Sequence, residues 1–69
     1  MLWYDGSKLP LHDKILKAMD YYIKKYGHTP NLCLVRPENF TVGEYVITVK
    51  QWNSIAKNHI WIGMDDHDI

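Results

Sequence analysis

The most regular pattern in the chain lies between Leu11 and Tyr26, where Leu11, Ile15, Met19 (or Ala18), Tyr22 and Tyr26 recur at steps of three and four. That spacing predicts an amphipathic helix over 11–26, with Leu16 and Ile23 widening its apolar stripe. Asp13–Lys17 and Asp20–Lys24 stand four apart with the acid first, the order that favours a helix. Pro10 sits at the entry, where a missing N–H is harmless, and Asp13 lies near the positive end of the helix dipole. Lys24 and Lys25 occupy the last turn, Gly27 provides a left-handed stop, and Pro30 prevents a restart.

The remaining apolar runs read as strands. Leu2-Trp3-Tyr4 is a short opening strand, ended by the turn residues Asp5-Gly6. In the stretch Asn31 to Pro37, the run Leu32-Cys33-Leu34-Val35-Arg36 has apolar residues at both parities, the pattern of a strand covered on both sides, and Pro37 ends it. Pro37 to Phe40 fits a single helical turn with Phe40 tucked inward. Glu44 to Lys50 alternates, with Tyr45, Ile47 and Val49 on one face and mostly polar residues on the other, as in a half-exposed strand. Asn58 to Gly63 is the last strand candidate. The acidic stretch 64–69 is expected to fray. The order is β-α-β-β-β. Its opening strand–helix–strand unit predicts a parallel pair joined by a right-handed crossover, with the two later strands returning antiparallel. The expected fold class is therefore α+β: one domain over residues 1–69, two-layered, with a single helix on a three- to four-stranded mixed sheet.

Length changes what this architecture needs. A chain of 69 residues buries only about 60% of the surface its unfolded form exposes, and scaffolds of this size usually lean on a disulfide, a metal or a partner. Cys33 is the single cysteine, so no internal disulfide forms. At 46% hydrophobic residues, with three Trp and five Tyr, the chain is too rich in core material to be disordered. One helix covers one face of a sheet, and the apolar material on the other face is left to a second copy or another protein. Trp3, Tyr45 and Trp61 are the candidate interface residues, because rigid aromatic rings dominate the centres of protein interfaces. The alternative for Trp3 and Trp61 is a place beneath the helix.

Eight Lys+Arg balance eight Asp+Glu, which gives no overall basic signature of a nucleic-acid binder. A nucleic-acid reading would stack bases on sheet aromatics and grip phosphates with Lys8, Lys14, Arg36, Lys50 and Lys57. The scatter of these bases, and the lack of a second helix of the RNA-recognition type, place it second. A small metal-binding domain is a third reading. However, His12, His28, His59 and His67 fall outside the paired short spacings of structural zinc sites. Cys33 with His28 or His59 as base would make a nucleophile, but the middle of an apolar strand suits a buried thiol better. No paired carboxylates or glycine-rich phosphate loop point to an enzyme, and no cofactor is expected. The first residues lack a basic segment followed by a long apolar one, and no apolar run nears the roughly 20 residues of a membrane span. A cytoplasmic setting without membrane contact is expected.

The string Tyr21-Tyr22…Lys25-Tyr26-Gly27…Pro30-Asn31-Leu32-Cys33-Leu34-Val35…Pro37, with Asn58-His59-Ile60-Trp61-Ile62-Gly63 further on, resembles a family of small uncharacterised bacterial and phage-associated α+β proteins. The resemblance spans most of residues 3–63. It carries no activity or site residues with it. More distantly, the pattern of a helix, a strand ending in a proline and a later strand ending in Ile62-Gly63 is similar to that of some phage capsid subunits, which points toward a mobile-element origin. The reading that follows is a small non-enzymatic interaction module that self-associates through the open sheet face or an edge strand.

Overall fold

The computed structural model describes residues 1–65 and comprises one helix and four strands, in the chain order β1 (Leu2–Tyr4), α1 (Leu11–Tyr26), β2 (Leu32–Val35), β3 (Thr48–Gln51) and β4 (His59–Gly63). The helix has the bounds its periodicity predicts. Pro10 occupies the cap position at φ −58° and ψ 152°, and no side chain caps the helix start. The Pro10 carbonyl instead accepts from the N–H groups of Asp13 (3.0 Å) and Lys14 (3.1 Å). At the other end Gly27 adopts φ 80° and donates its N–H to the Ile23 carbonyl at 2.8 Å, a stop that costs glycine no Cβ clash.

The sheet order is β1-β4-β2-β3. The strand–helix–strand unit does not make an adjacent pair, because β4 inserts between β1 and β2 and runs antiparallel to both. The parallel neighbours are β2 and β3 instead. The connection between those two carries a 3-10 turn at Pro37–Asn39, and Phe40, Tyr45 and Ile47 pack against the helix-side core along its length. Beyond the strand ends the ladders continue. Met1 and Ile62 exchange hydrogen bonds at 2.7 and 2.8 Å, and Trp52 N–H donates to the Val35 carbonyl at 2.8 Å.

Burial follows the two periodicities. Leu11, Ile15, Ala18 and Tyr22 from α1 meet Cys33 and Val35 of β2 and Ile60 and Ile62 of β4 in one buried cluster. Tyr26, expected inside, is exposed and packs at a tilt against Tyr22, with ring centroids 4.6 Å apart. The predicted 44–50 strand is shorter and later than expected. Residues 45–47 finish the crossover without pairing, although Tyr45, Ile47 and Val49 do share the inward side. After β4 the Asp65 N–H donates to the Asn31 side-chain oxygen at 2.7 Å. Residues 66–69 of the stretch expected to fray lie outside the described residues. None of the described helices is long and apolar enough to cross a membrane.

Candidate functional site

Residues directly opposite each other on paired strands point to the same face, so the register sorts every strand position. Trp3 pairs with Ile60 and Ile60 with Val35, which puts all three under the helix. Leu2 pairs with Trp61, Trp61 with Leu34, and Leu34 with Lys50, which puts these four on the opposite face. Leu32, between Gly63 and Thr48, and Tyr4, opposite His59, belong to that second face as well.

No helix or loop of the described residues covers this second face. Leu2 is 58% and Tyr4 64% exposed, while Leu32, Leu34 and Trp61 are half-buried. The Trp61 indole lies across Gly63, and the Tyr4 phenol lies over Gly6. The outer edge of each ring occupies the space that a side chain on the glycine would fill. Tyr4 also meets the His59 ring, with centroids 5.1 Å apart. His59 Nδ1 is 2.8 Å from the Lys57 carbonyl. A carbonyl only accepts, so Nδ1 is the donor in this contact. Among the described residues Lys50 is the lone charged side chain at a strand position of this face, and no carboxylate stands there.

The structure separates the three aromatic candidates. Trp61 is on the open face. Trp3 is beneath the helix, its ring 5.2 Å from that of Tyr21, with the indole N–H buried and without a hydrogen-bond partner. Tyr45 packs against the core rim, and its hydroxyl donates to the Thr41 carbonyl at 2.6 Å and lies 2.9 Å from the Thr41 hydroxyl. Leu2, Tyr4, Leu32 and Leu34 make up the rest of the apolar face. Their signal in the sequence was parity: Leu32 and Leu34 alternate with the buried Cys33 and Val35, so the second apolar parity of β2 faces outward, uncovered by any element of the described residues.

The five basic candidates do not converge. Lys50 is on the open face, whereas Lys14 belongs to α1 on the other side, its ammonium donating to the Asp5 carbonyl at 3.1 Å. Arg36 is held 3.0 Å from the Glu38 carboxylate, and Lys8 and Lys57 are exposed in separate loops.

At the end of the sheet where β1 and β2 stop and α1 starts, a cleft of about 250 Å³ is lined by Asp5, Lys14, Glu38, Asn39 and His59 among others. It is smaller than the roughly 300–1,000 Å³ of ordinary ligand pockets, and its polar groups are engaged locally. The Asp5 carboxylate accepts the Ser7 N–H at 2.9 Å, and the hydrogen bonds from Ser7 hold its pKa below the usual carboxylate value. Cys33 is fully buried, and burial pushes its thiol up to about 12, so no thiolate nucleophile forms near neutral pH. Among the described residues no three of His, Cys, Asp and Glu gather to hold a metal ion. His67 lies outside those residues. The open sheet face offers an aromatic and aliphatic surface suited to noncovalent contact. Comparison with protein-family models, curated proteins and solved structures finds no significant match to the chain.

Proposed function

We propose that the chain is a small non-enzymatic protein-interaction module that associates, with a second copy first, through the open face of its sheet. The observation that carries this reading is the contiguous run Leu2–Trp61–Leu34 across three strands, with no covering element among the described residues. Balanced charge supports self-association, because no long-range repulsion keeps copies apart. Four strands at about 4.8 Å and roughly five residues at about 3.3 Å make a face near 19 by 16 Å. A standard stable interface buries about 800 Å² on each partner, so this face by itself supports a weak contact, with a Kd on the order of micromolar or above.

Light scattering across a concentration series tests the proposal, with wild type beside a Trp61→Asp variant whose fold is checked by circular dichroism. Mass that rises with concentration, and rises less in the variant, supports it. Identical curves for the two proteins sink it.

A second reading is favoured by one observation: the adjoining rings of Tyr4 and His59, and the separate Trp61 indole, occupy a face whose strand positions carry Lys50 and no acid. Such a surface suits the bases of a single strand, with a cation for the phosphate, and fits an accessory protein of a mobile element. Binding of labelled single-stranded RNA or DNA that weakens steeply with salt and falls in Lys50→Glu supports this reading. Salt-independent or absent binding removes it.

A further inference from the structure

The apolar arc of α1 is wider than the sheet it covers. At about 100° per residue, the buried residues Leu11, Ile15, Ala18 and Tyr22 lie within about 60° of one another. Leu16, Met19, Ile23 and Tyr26 form a second stripe on one flank, at steps of three, four and three. That is the a/d spacing by which helices pack against helices. Met19 packs partly against the core, but Leu16 is 41%, Ile23 39% and Tyr26 47% exposed, so the core satisfies only part of this stripe. Along its solvent side run Asp13, Lys17, Asp20 and Lys24, alternating in sign and exposed.

That alternation chooses the occupant. When α1 meets a copy of itself head to tail, so that positions 18 and 19 face each other, Asp13 stands opposite the partner's Lys24 and Lys17 opposite the partner's Asp20. The twofold axis repeats both pairs. In the same register Leu16 falls between the partner's Met19 and the partner's Ile23, a knob facing a hole. A parallel pair would set each charge against its own copy. The pattern is self-complementary in one orientation, as an isologous contact requires. Within one chain Lys24 is paired with Asp20 at 2.9 Å, but both side chains are well exposed, and such a pair is opened or shared at little cost.

We infer that the Leu16–Ile23 flank of α1 is a self-association surface that seats the same flank of a second copy antiparallel to it. The contact is separate from the open sheet face and does not rest on it.

The test uses full-length chains of two kinds. One carries Asp13→Lys and Asp20→Lys, the other Lys17→Glu and Lys24→Glu; each then presents a single sign along the stripe. Each alone is expected to lose self-association through α1, with the dissociation constant rising about tenfold or more. A one-to-one mixture is expected to pair, and to stop pairing when Ile23→Glu is added to either. Trp61→Asp, which disables the sheet face, is expected to leave the mixed pair intact, and so separates this contact from the other. A nitroxide on a His12→Cys variant reports orientation: antiparallel copies hold the two labels about 20 Å apart along the axis. Failure of the mixture to pair overturns the inference, as does pairing indifferent to Ile23→Glu or labels side by side.

Discussion

The indole of Trp61 covers Gly63 so closely that a methyl group placed on Gly63 would sit 2.6 Å from the ring carbon Cη2. Gly63→Ala is therefore expected to lift the ring from the backbone. Because Trp61 is half-buried and free to swing outward, the loss of stability should be about 1 kcal/mol rather than a collapse. A red-shifted Trp fluorescence with an unchanged far-ultraviolet spectrum would register the displacement. An unshifted spectrum would show that the ring does not lie there.

Two neighbours on α1 are expected to behave differently. Ile15 is fully buried and Leu16 is 41% exposed. Ile15→Ala removes buried methyl groups and leaves a cavity, a change that costs about 2–5 kcal/mol in well-packed cores. Leu16→Ala, in dilute monomer, should fall within about 0.5 kcal/mol of wild type. Urea titrations of both variants check the contrast, and similar midpoints would contradict the burial described.

Gly27 and Gly43 form another matched pair. Neither has a heavy atom within 4 Å of an added methyl group, but Gly27 holds φ +80°. Gly27→Ala should cost about 1 kcal/mol through backbone conformation alone. Gly43→Ala has no such strain to meet and should be neutral or slightly stabilising through the unfolded chain. Thermal melts of the two proteins measure the difference.

Burial of Cys33 makes stability depend on alkaline pH in a defined direction. Its folded pKa is raised from 9.0 to about 12, so its contribution is fully present below pH 9.0 and is lost as pH climbs toward about 12. In that window the unfolded thiol ionises and the folded one does not, a slope approaching about 1.4 kcal/mol per pH unit. Cys33→Ala should remove that part of the slope and leave the rest of the alkaline profile intact. At neutral pH a thiol reagent should label the native protein only as fast as the protein unfolds.

Local signals in the sequence were sufficient for α1, because Pro10, the three–four spacing and Gly27 all act within a few residues of one another. They were insufficient for the sheet. That β4 lies between β1 and β2 is a long-range choice, and only the two-parity apolar character shared by Leu32–Val35 and Ile60–Ile62 hinted at two inner strands. The same limit applies to the tryptophans. Trp3 faces the helix and Trp61 faces away because Trp3 pairs with Ile60, and a slip of one residue would exchange faces. Tyr45 kept the inward parity of its segment but not its strand, since the crossover must travel back along the sheet before it can pair. The open face became readable only once the register placed Leu2, Leu34 and Trp61 side by side.

The position of β4 has a consequence for biosynthesis. Residues 59–63 form the strand that joins β1 to β2, yet a ribosome delivers them after everything they connect. A nascent chain stopped before Asn58 has an amino-terminal strand with nothing to pair with and a helix resting on half a platform. Assembly therefore waits for the carboxy-terminal segment, and stalled or clipped products should be cleared by proteases as unfolded polypeptide rather than persist as partial domains.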